Sequence, residues 1–459
     1  MHSLRQTCTS IFRGGSRLSN GMSTTHHQSL TDLERSAGQG CFICTILAAE
    51  ILSRRQITKA NSHSEDSRSQ YPVSVYGIQP DRRYPEVLEI TISFNEKGYK
   101  TGGGYRLFGL QPLQETQLQP LAGAPTNSPQ TTFDMKYARM WLRDCEGHHN
   151  NCCVQGSLRQ GPSRLIQIDR PGCDQVRLVD AATISGDRIR YATLSHCWGS
   201  STVFKLTSAT KTKLNQGIST LELGLTFRDA VKVAREIGVF LIWIDALCII
   251  QDSKDDWKKE AAKMSDVYRG AIVNIAAMSG VNTEAGCLPE NFQHEVEPFI
   301  VTMQRTGLPS GKYILFDHMY ATNRFEHMAL LERAWVVQEL IFAPRILYLC
   351  ATEMFWLCHE VIASETYPDR IPPMRFKPWI PRNTIWNAMY RPHITEQPGS
   401  DASKQLLWGL WREIIEVYTK CSLTFASDKL VAVSGLAKSI QAAFNIDYCA
   451  GLWDCDLEY

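Results

Sequence analysis

Three short, largely apolar runs constrain this chain most. Val239-Phe-Leu-Ile-Trp-Ile244, Ala271-Ile-Val-Asn-Ile-Ala-Ala277 and Ile346-Leu-Tyr-Leu349 are short, and each is preceded by a helical pattern. A strand with no polar face has to be covered on both sides, which is the situation of a parallel strand in an α/β layer. The intervening segments supply the covers. Thr226 is placed to cap a helix, with Asp229 three residues on, and Phe227, Ala230, Val231, Ala234 and Ile237 recur at helical spacing before Gly238. Ser253 opens a second helix with Asp256 three residues later, a stripe of Trp257, Ala261, Met264 and Tyr268, and Gly270 at its end. Glu332–Ile341 reads as a third, after a poorly patterned insertion over 280–328. Tyr191–Gly199 is the first strand of the series. Strand, helix, strand, helix, strand, helix, strand predicts an α/β fold whose central parallel sheet has helices on both faces.

The rest of the chain divides around this core. The length, 459 residues, suggests two to four units at roughly 100–200 residues per domain. Residues 1–30 hold Arg5, Arg13 and Arg17 and no acid before Asp32. Their composition resembles a transit peptide, but no apolar helical face accompanies the arginines, so a disordered leader or an imprecise gene start is expected. Residues 31–180 read as a mixed α+β region containing Cys and His, 181–360 as the α/β domain, and 361–459 as a helical region. In that last region Leu406, Leu407, Leu410, Ile414 and Tyr418 share a face, and a second helix starts near Asp428. Residues 53–70, 111–131 and 363–400 are polar or Pro-rich and read as loops and linkers.

Composition removes several classes of function. A net charge of +1 gives no global field for nucleic acid or an anionic surface. No basic stripe with interleaved aromatics points to nucleic acid, and no apolar run is long enough to span a membrane. Gly102-Gly-Gly104 lacks the Lys and Ser/Thr of a phosphate loop and reads as a turn. The 15 cysteines are odd in number, and Cys197, Cys248, Cys350 and Cys358 sit inside apolar runs. That usage suits free thiols in the cytoplasm.

Three blocks resemble the heterokaryon incompatibility (HET) family. They are Tyr191-Ala-Thr-Leu-Ser-His-Cys-Trp-Gly199; Trp243-Ile-Asp-Ala-Leu-Cys-Ile-Ile-Gln-Asp252, continuing through Met264 and Tyr268-Arg-Gly-Ala271; and Arg333-Ala-Trp-Val-Val-Gln-Glu-Leu340. Their order and spacing match as well. Trp141-Leu-Arg-Asp-Cys145 with His148, His149 and Cys152, then Pro162-Ser-Arg-Leu-Ile166, looks like the segment that precedes many such domains. Thr424, Asp428-Lys-Leu430 and Ser434-Gly-Leu436 look like the helical region that follows. His196 stands where Tyr is common and Ile250 where Asn is common. The resemblance implies a fungal non-self response ending in cell death, and a chain that stops short of its relatives' ends.

The element order is also similar to the TIR domain, which implies a flavodoxin/TIR-like sheet. TIR domains carry a Trp–x–x–x–Glu pair, and their enzymatic members cleave NAD. Trp335 and Glu339, four apart on a helix, share one face. By this likeness Glu339 is the catalytic carboxylate near the ribose, with Asp245 and Ser195 as further catalytic groups at the strand ends. Trp335, Trp198, Gly199 and Gln338 then form the substrate-binding set, with NAD as the substrate. The structural alternative pairs Glu339 with Arg333 or Arg345. A non-enzymatic alternative has the domain kill through protein partners or self-association. A Ser or Cys hydrolase built on Ser195, His196 and Cys197 is disfavoured, because neighbouring strand residues point to opposite faces.

Metal binding is the remaining candidate. Cys41, Cys44, Cys145, His149 and Cys152, with His148 and Cys153 nearby, have local spacing compatible with a structural zinc ion if the two segments meet. Cys41 and Cys44 equally suit plain packing beside Phe42, Ile43 and Ile46.

Overall fold

A computed structural model describes residues 3–14, 24–59, 73–94, 104–113, 133–152, 161–168, 174–185, 189–199, 203–289, 298–325, 328–374, 382–390 and 401–454. Of the expected loops and turns, Gly102, Gly103, residues 60–70 and most of 111–131 lie outside the described residues, as does Cys153 of the expected metal ligands; residues 53–59 and 382–390, expected as loop and linker, are instead helical, in Phe42–Lys59 and Arg382–Tyr390. In chain order the strands of the two large sheets are β1 (Arg13–Gly14), β2 (Thr24–His27), β3 (Val73–Pro80), β4 (Leu88–Phe94), β5 (Gly104–Pro112), β6 (Arg164–Ile168), β7 (Gln175–Asp180), β8 (Ala192–Ser195), β9 (Ile218–Ser219), β10 (Leu241–Trp243), β11 (Val273–Ala277), β12 (Phe299–Arg305), β13 (Gly311–Asp317), β14 (Ile346–Leu349), β15 (Met354–Leu357) and β16 (Ile362–Ser364). The chain forms two units, each discontinuous. One takes residues 1–128, 295–323 and 371–376, the other residues 129–294, 324–370 and 377–459. This division differs from the linear one expected at 31–180 and 181–360.

The larger unit is built on a mixed sheet in the order β16-β15-β14-β11-β8-β10-β6-β7-β9. The four expected strands are its centre. β10 runs parallel to β8, β8 to β11 and β11 to β14. Every residue of β8, β11 and β14 is buried, as two-sided cover requires. A single parallel sheet is not what forms, however. β6, β7 and β9 extend one side antiparallel, and β15 and β16 the other. β14 and β15 are joined by a tight turn, and short links of that kind make antiparallel neighbours.

The helices follow the pattern with local corrections. The Leu225–Glu236 helix buries Phe227, Ala230, Val231 and Ala234, but its N-cap is Gly224. Thr226 instead donates to the Asn282 carbonyl, and Asp229 accepts from the Cys287 and Leu288 amides. Ser253 does cap the next helix, accepting from the Asp256 amide. The expected single helix is two, Lys254–Ala261 and Met264–Gly270. The Ala334–Phe342 helix has eight buried residues, Ala334 and Val336 through Phe342. It packs against the Met264–Gly270 helix and the C-terminal Val431–Phe444 helix. A helix buried nearly all round has to satisfy any polar residue it carries, and this one carries Gln338 and Glu339. The Asp401–Tyr418 helix buries Leu407, Leu410, Ile414 and Tyr418 of the face read from sequence, while Leu406 is only half-buried.

The smaller unit is a sheet in the order β1-β12-β13-β5-β4-β3-β2, antiparallel except for β1 with β12. Two expectations fail here. Part of the supposed leader is ordered: Cys8, Ile11, Phe12, His26 and His27 are buried. The insertion over 280–328 contains β12 and β13, a hairpin belonging to this sheet. Arg106 on β5 forms a buried fork with Asp317 of β13, at 3.0 and 2.5 Å, and reaches Glu50 at 2.7 Å. A cavity of about 340 Å³ lies beside Asp81, Arg82, Arg83 and Glu89 in the same unit.

Candidate functional site

In the larger unit, the carboxyl ends of the parallel strands bring the three motif blocks together. Alternation along β8 places Thr193 and Ser195 on one face. The parallel register sets Asn274 opposite Thr193 and Ala276 opposite Ser195. Thr193 Oγ1 accordingly donates to Asn274 Oδ1 at 3.0 Å, and Asn274 Nδ2 donates to Ser195 Oγ at 2.9 Å. Ser195 Oγ passes the chain on, donating to Glu339 Oε2 at 2.5 Å. The Tyr268 hydroxyl also hydrogen-bonds Glu339, and lies 3.3 Å from the Leu194 carbonyl.

This network is closed. Thr193, Ser195 and Asn274 are fully buried, and Glu339 is 4% exposed. Burial pushes the Glu339 carboxyl up to about 7, against the opposing pull of Arg333 and the Ser195 bond. Burial likewise raises the Tyr268 hydroxyl, with the Glu339 charge adding to it. Arg333 does not cap Glu339 in a direct ion pair; its Nη1 donates to the His196 carbonyl. Arg345 is elsewhere, bonded to Cys145 Sγ and the Ile272 and Cys152 carbonyls.

The other face of the β8 end carries a second, more open group. His196 Nδ1 stands 3.8 Å from Asp245 Oδ1, and Trp198 Nε1 donates to Asp245 Oδ2 at 2.8 Å. The Asp245 side chain is 21% exposed. His196 stacks beside Trp198 and meets Phe227 edge-on. Burial pushes its imidazole down to about 4, with Asp245 opposing, and Nε2 finds no hydrogen-bond partner among the described residues. Gly199 lies at φ 66°, and a Cβ there would sit 2.3 Å from the Asn282 Cβ, so this turn admits glycine alone.

Not all expected residues converge. Ser195 and Glu339 meet directly, and Asp245 and Trp198 meet each other. Trp335, half-buried, packs edge-to-face on Trp257. Gln338 faces the C-terminal helix, its Oε1 2.8 Å from where a Cβ on Gly435 would lie. Ser195 and His196 engage different partners, so no Ser–His pair forms. Asn274, Tyr268 and Thr193 were not singled out in the sequence. The one available signal was Asn274, the polar residue inside an apolar strand.

The expected metal ligands separate into two clusters, one in each unit. Cys41 and Cys44 do not join Cys145, His149 and Cys152 in a single site. In the smaller unit Cys44 Sγ is 3.3 Å from Cys8 Sγ and 3.2 Å from His27 Nε2. Cys8 Sγ is in turn 3.2 Å from His26 Nε2 and 3.1 Å from Cys41 Sγ. In the larger unit, Cys145, His149 and Cys152 gather with Cys358, whose Sγ is 3.4 Å from His149 Nδ1. The described cysteines are free thiols.

No described helix is long and apolar enough to cross a membrane. No curated protein and no solved structure matches the chain. A family model does match, over the span that holds all three motif blocks. Residues 191–339 fit the model of the heterokaryon incompatibility protein (HET) family, and this stretch of the chain is a HET domain.

Proposed function

We propose that the protein is an effector of heterokaryon incompatibility, a cytoplasmic component of non-self recognition that ends in cell death. It acts through protein partners or self-association rather than chemistry of its own. One observation carries the choice of mechanism. Glu339, the acid on which a TIR-like reaction depends, is enclosed by Ser195 and Tyr268 at 4% exposure. Trp335 and Gln338 beside it are committed to packing. A carboxylate that stabilises charge on a ribose needs an open side facing the substrate. In this reading the three blocks form a buried polar knot that fixes the strand ends.

A second reading keeps NAD cleavage. It is favoured by a carboxyl held near neutrality beside a hydroxyl, since perturbed acids gather at reaction centres. Here Glu339 becomes available only when the Ala334–Phe342 helix shifts. Purified protein, dilute and deliberately clustered, is incubated with NAD and assayed for nicotinamide. Cell killing by Glu339→Gln is scored in parallel at matched expression. The signalling reading expects no nicotinamide and undiminished killing by the variant. Nicotinamide release that disappears in Glu339→Gln would replace it with the enzymatic one.

A further inference from the structure

We propose that the chain carries two structural zinc ions, one in each unit. In the larger unit the ligands are Cys145, His149, Cys152 and Cys358. In the smaller they are Cys8, His26, His27 and Cys44, with Cys41 as an outer thiol.

In each set, one donor atom per residue lies within 4.8 Å of all the others. The donors are sulfur and imidazole nitrogen only. That chemistry selects zinc over calcium or magnesium, which take oxygen. The sulfurs of Cys8 and Cys44, 3.3 Å apart, are far beyond the ~2.05 Å of a disulfide. Two thiolates on a tetrahedral zinc, each bonded at about 2.3 Å, stand roughly 3.7 Å apart, within a few tenths of that spacing.

The surroundings of the larger unit's cluster fit bound thiolates. The Val361 amide donates to Cys358 Sγ at 3.3 Å, and Arg345 Nε donates to Cys145 Sγ at 3.0 Å. Arg345 is buried, and its other partners are two carbonyls. Three thiolates and one neutral imidazole on zinc sum to one negative charge, which this guanidinium balances. Outer donors of this kind orient ligands and stabilise their charge. Both clusters tie together segments far apart in sequence. Cys358, before β16, is brought to the end of the Met135–His148 helix. Cys8 and the β2 histidines are brought to the start of the Phe42–Lys59 helix. A metal clip offsets the loop-closure entropy of such contacts and supplies folding free energy directly.

The test uses the full chain purified reduced from zinc-supplemented medium. Metal is measured by inductively coupled plasma mass spectrometry, and thiols are titrated after denaturation. The proposal expects two zinc per chain and all 15 cysteines titrating as thiols. Cys358→Ser and Cys8→Ser should each retain one. Cys421→Ser, which alters a thiol bonded to the Leu331 carbonyl, should retain two. Wild-type protein reconstituted with cobalt, which requires no variant to fold, should show sulfur-to-cobalt charge transfer from two tetrahedral sites. Zinc well below one per chain, no such band, or a disulfide among either set would overturn the proposal. One zinc unaffected by one of the two variants would overturn the site that variant addresses.

Discussion

Two titrating groups at the end of β8 work against each other. Burial lifts Glu339 from 4.5 to about 7, so the folded chain holds that proton more tightly than the unfolded chain. Its contribution is present below pH 4.5 and is lost as pH rises through 7, roughly 3 kcal/mol at about 1.4 per unit. Burial moves His196 the other way, from 6.5 to about 4. That contribution is present above pH 6.5 and is lost as pH falls through 4, by a similar amount. The windows overlap, so each masks the other in the wild type. Glu339→Gln should therefore lose roughly 3 kcal/mol relative to wild type between pH 7 and 4.5, in urea denaturation at stepped pH. A variant curve parallel to the wild-type curve would refute the shifted carboxyl. The residue scale was only partly legible in the sequence. Ser195 and Asp245 stood out at the ends of strands and Glu339 through the likeness to the TIR domain, whereas Tyr268 looked like one member of a helical stripe. Cys358 and Cys8 gave no spacing signal, because their partners lie far along the chain.

At the scale of elements, apolar continuity placed β10, β11 and β14, since two-sided burial leaves so plain a pattern, while β8, with Thr193 and Ser195 in it, was read from the Tyr191–Gly199 segment ending at glycine. It did not place the antiparallel flanks, whose pairing depends on turns and not on cover. The β12–β13 hairpin lies inside the stretch that reads as poorly patterned. Val301, Met303 and Arg305 are buried alternately, but the third of them is charged, which blurs the period of two in the sequence. Which sheet it joins is a tertiary fact that no local pattern carries. β13 is fixed to β5 by a specific fit, for Gly109 pairs with Phe316 and a Cβ at Gly109 would lie 2.0 Å from that ring. Phe316 is fully buried and has no room to retreat. Gly109→Ala should cost about 2 kcal/mol or more in chemical denaturation, as overpacked cores do. An unchanged midpoint would show that the ring is free to move.

At the scale of the whole molecule, neither unit is a continuous stretch of sequence. That is why linear boundaries at composition shifts did not recover them. What holds the HET domain together is the meeting of three blocks whose contacts span 144 residues between Ser195 and Glu339. A double-mutant cycle on that pair tests this most directly, with Ser195→Ala, Glu339→Met and both together unfolded by urea at pH 8. A buried, charge-assisted bond predicts a coupling of about 1–3 kcal/mol. Additivity to within about 0.5 kcal/mol would contradict the account, because the first and third blocks would then not be joined as described.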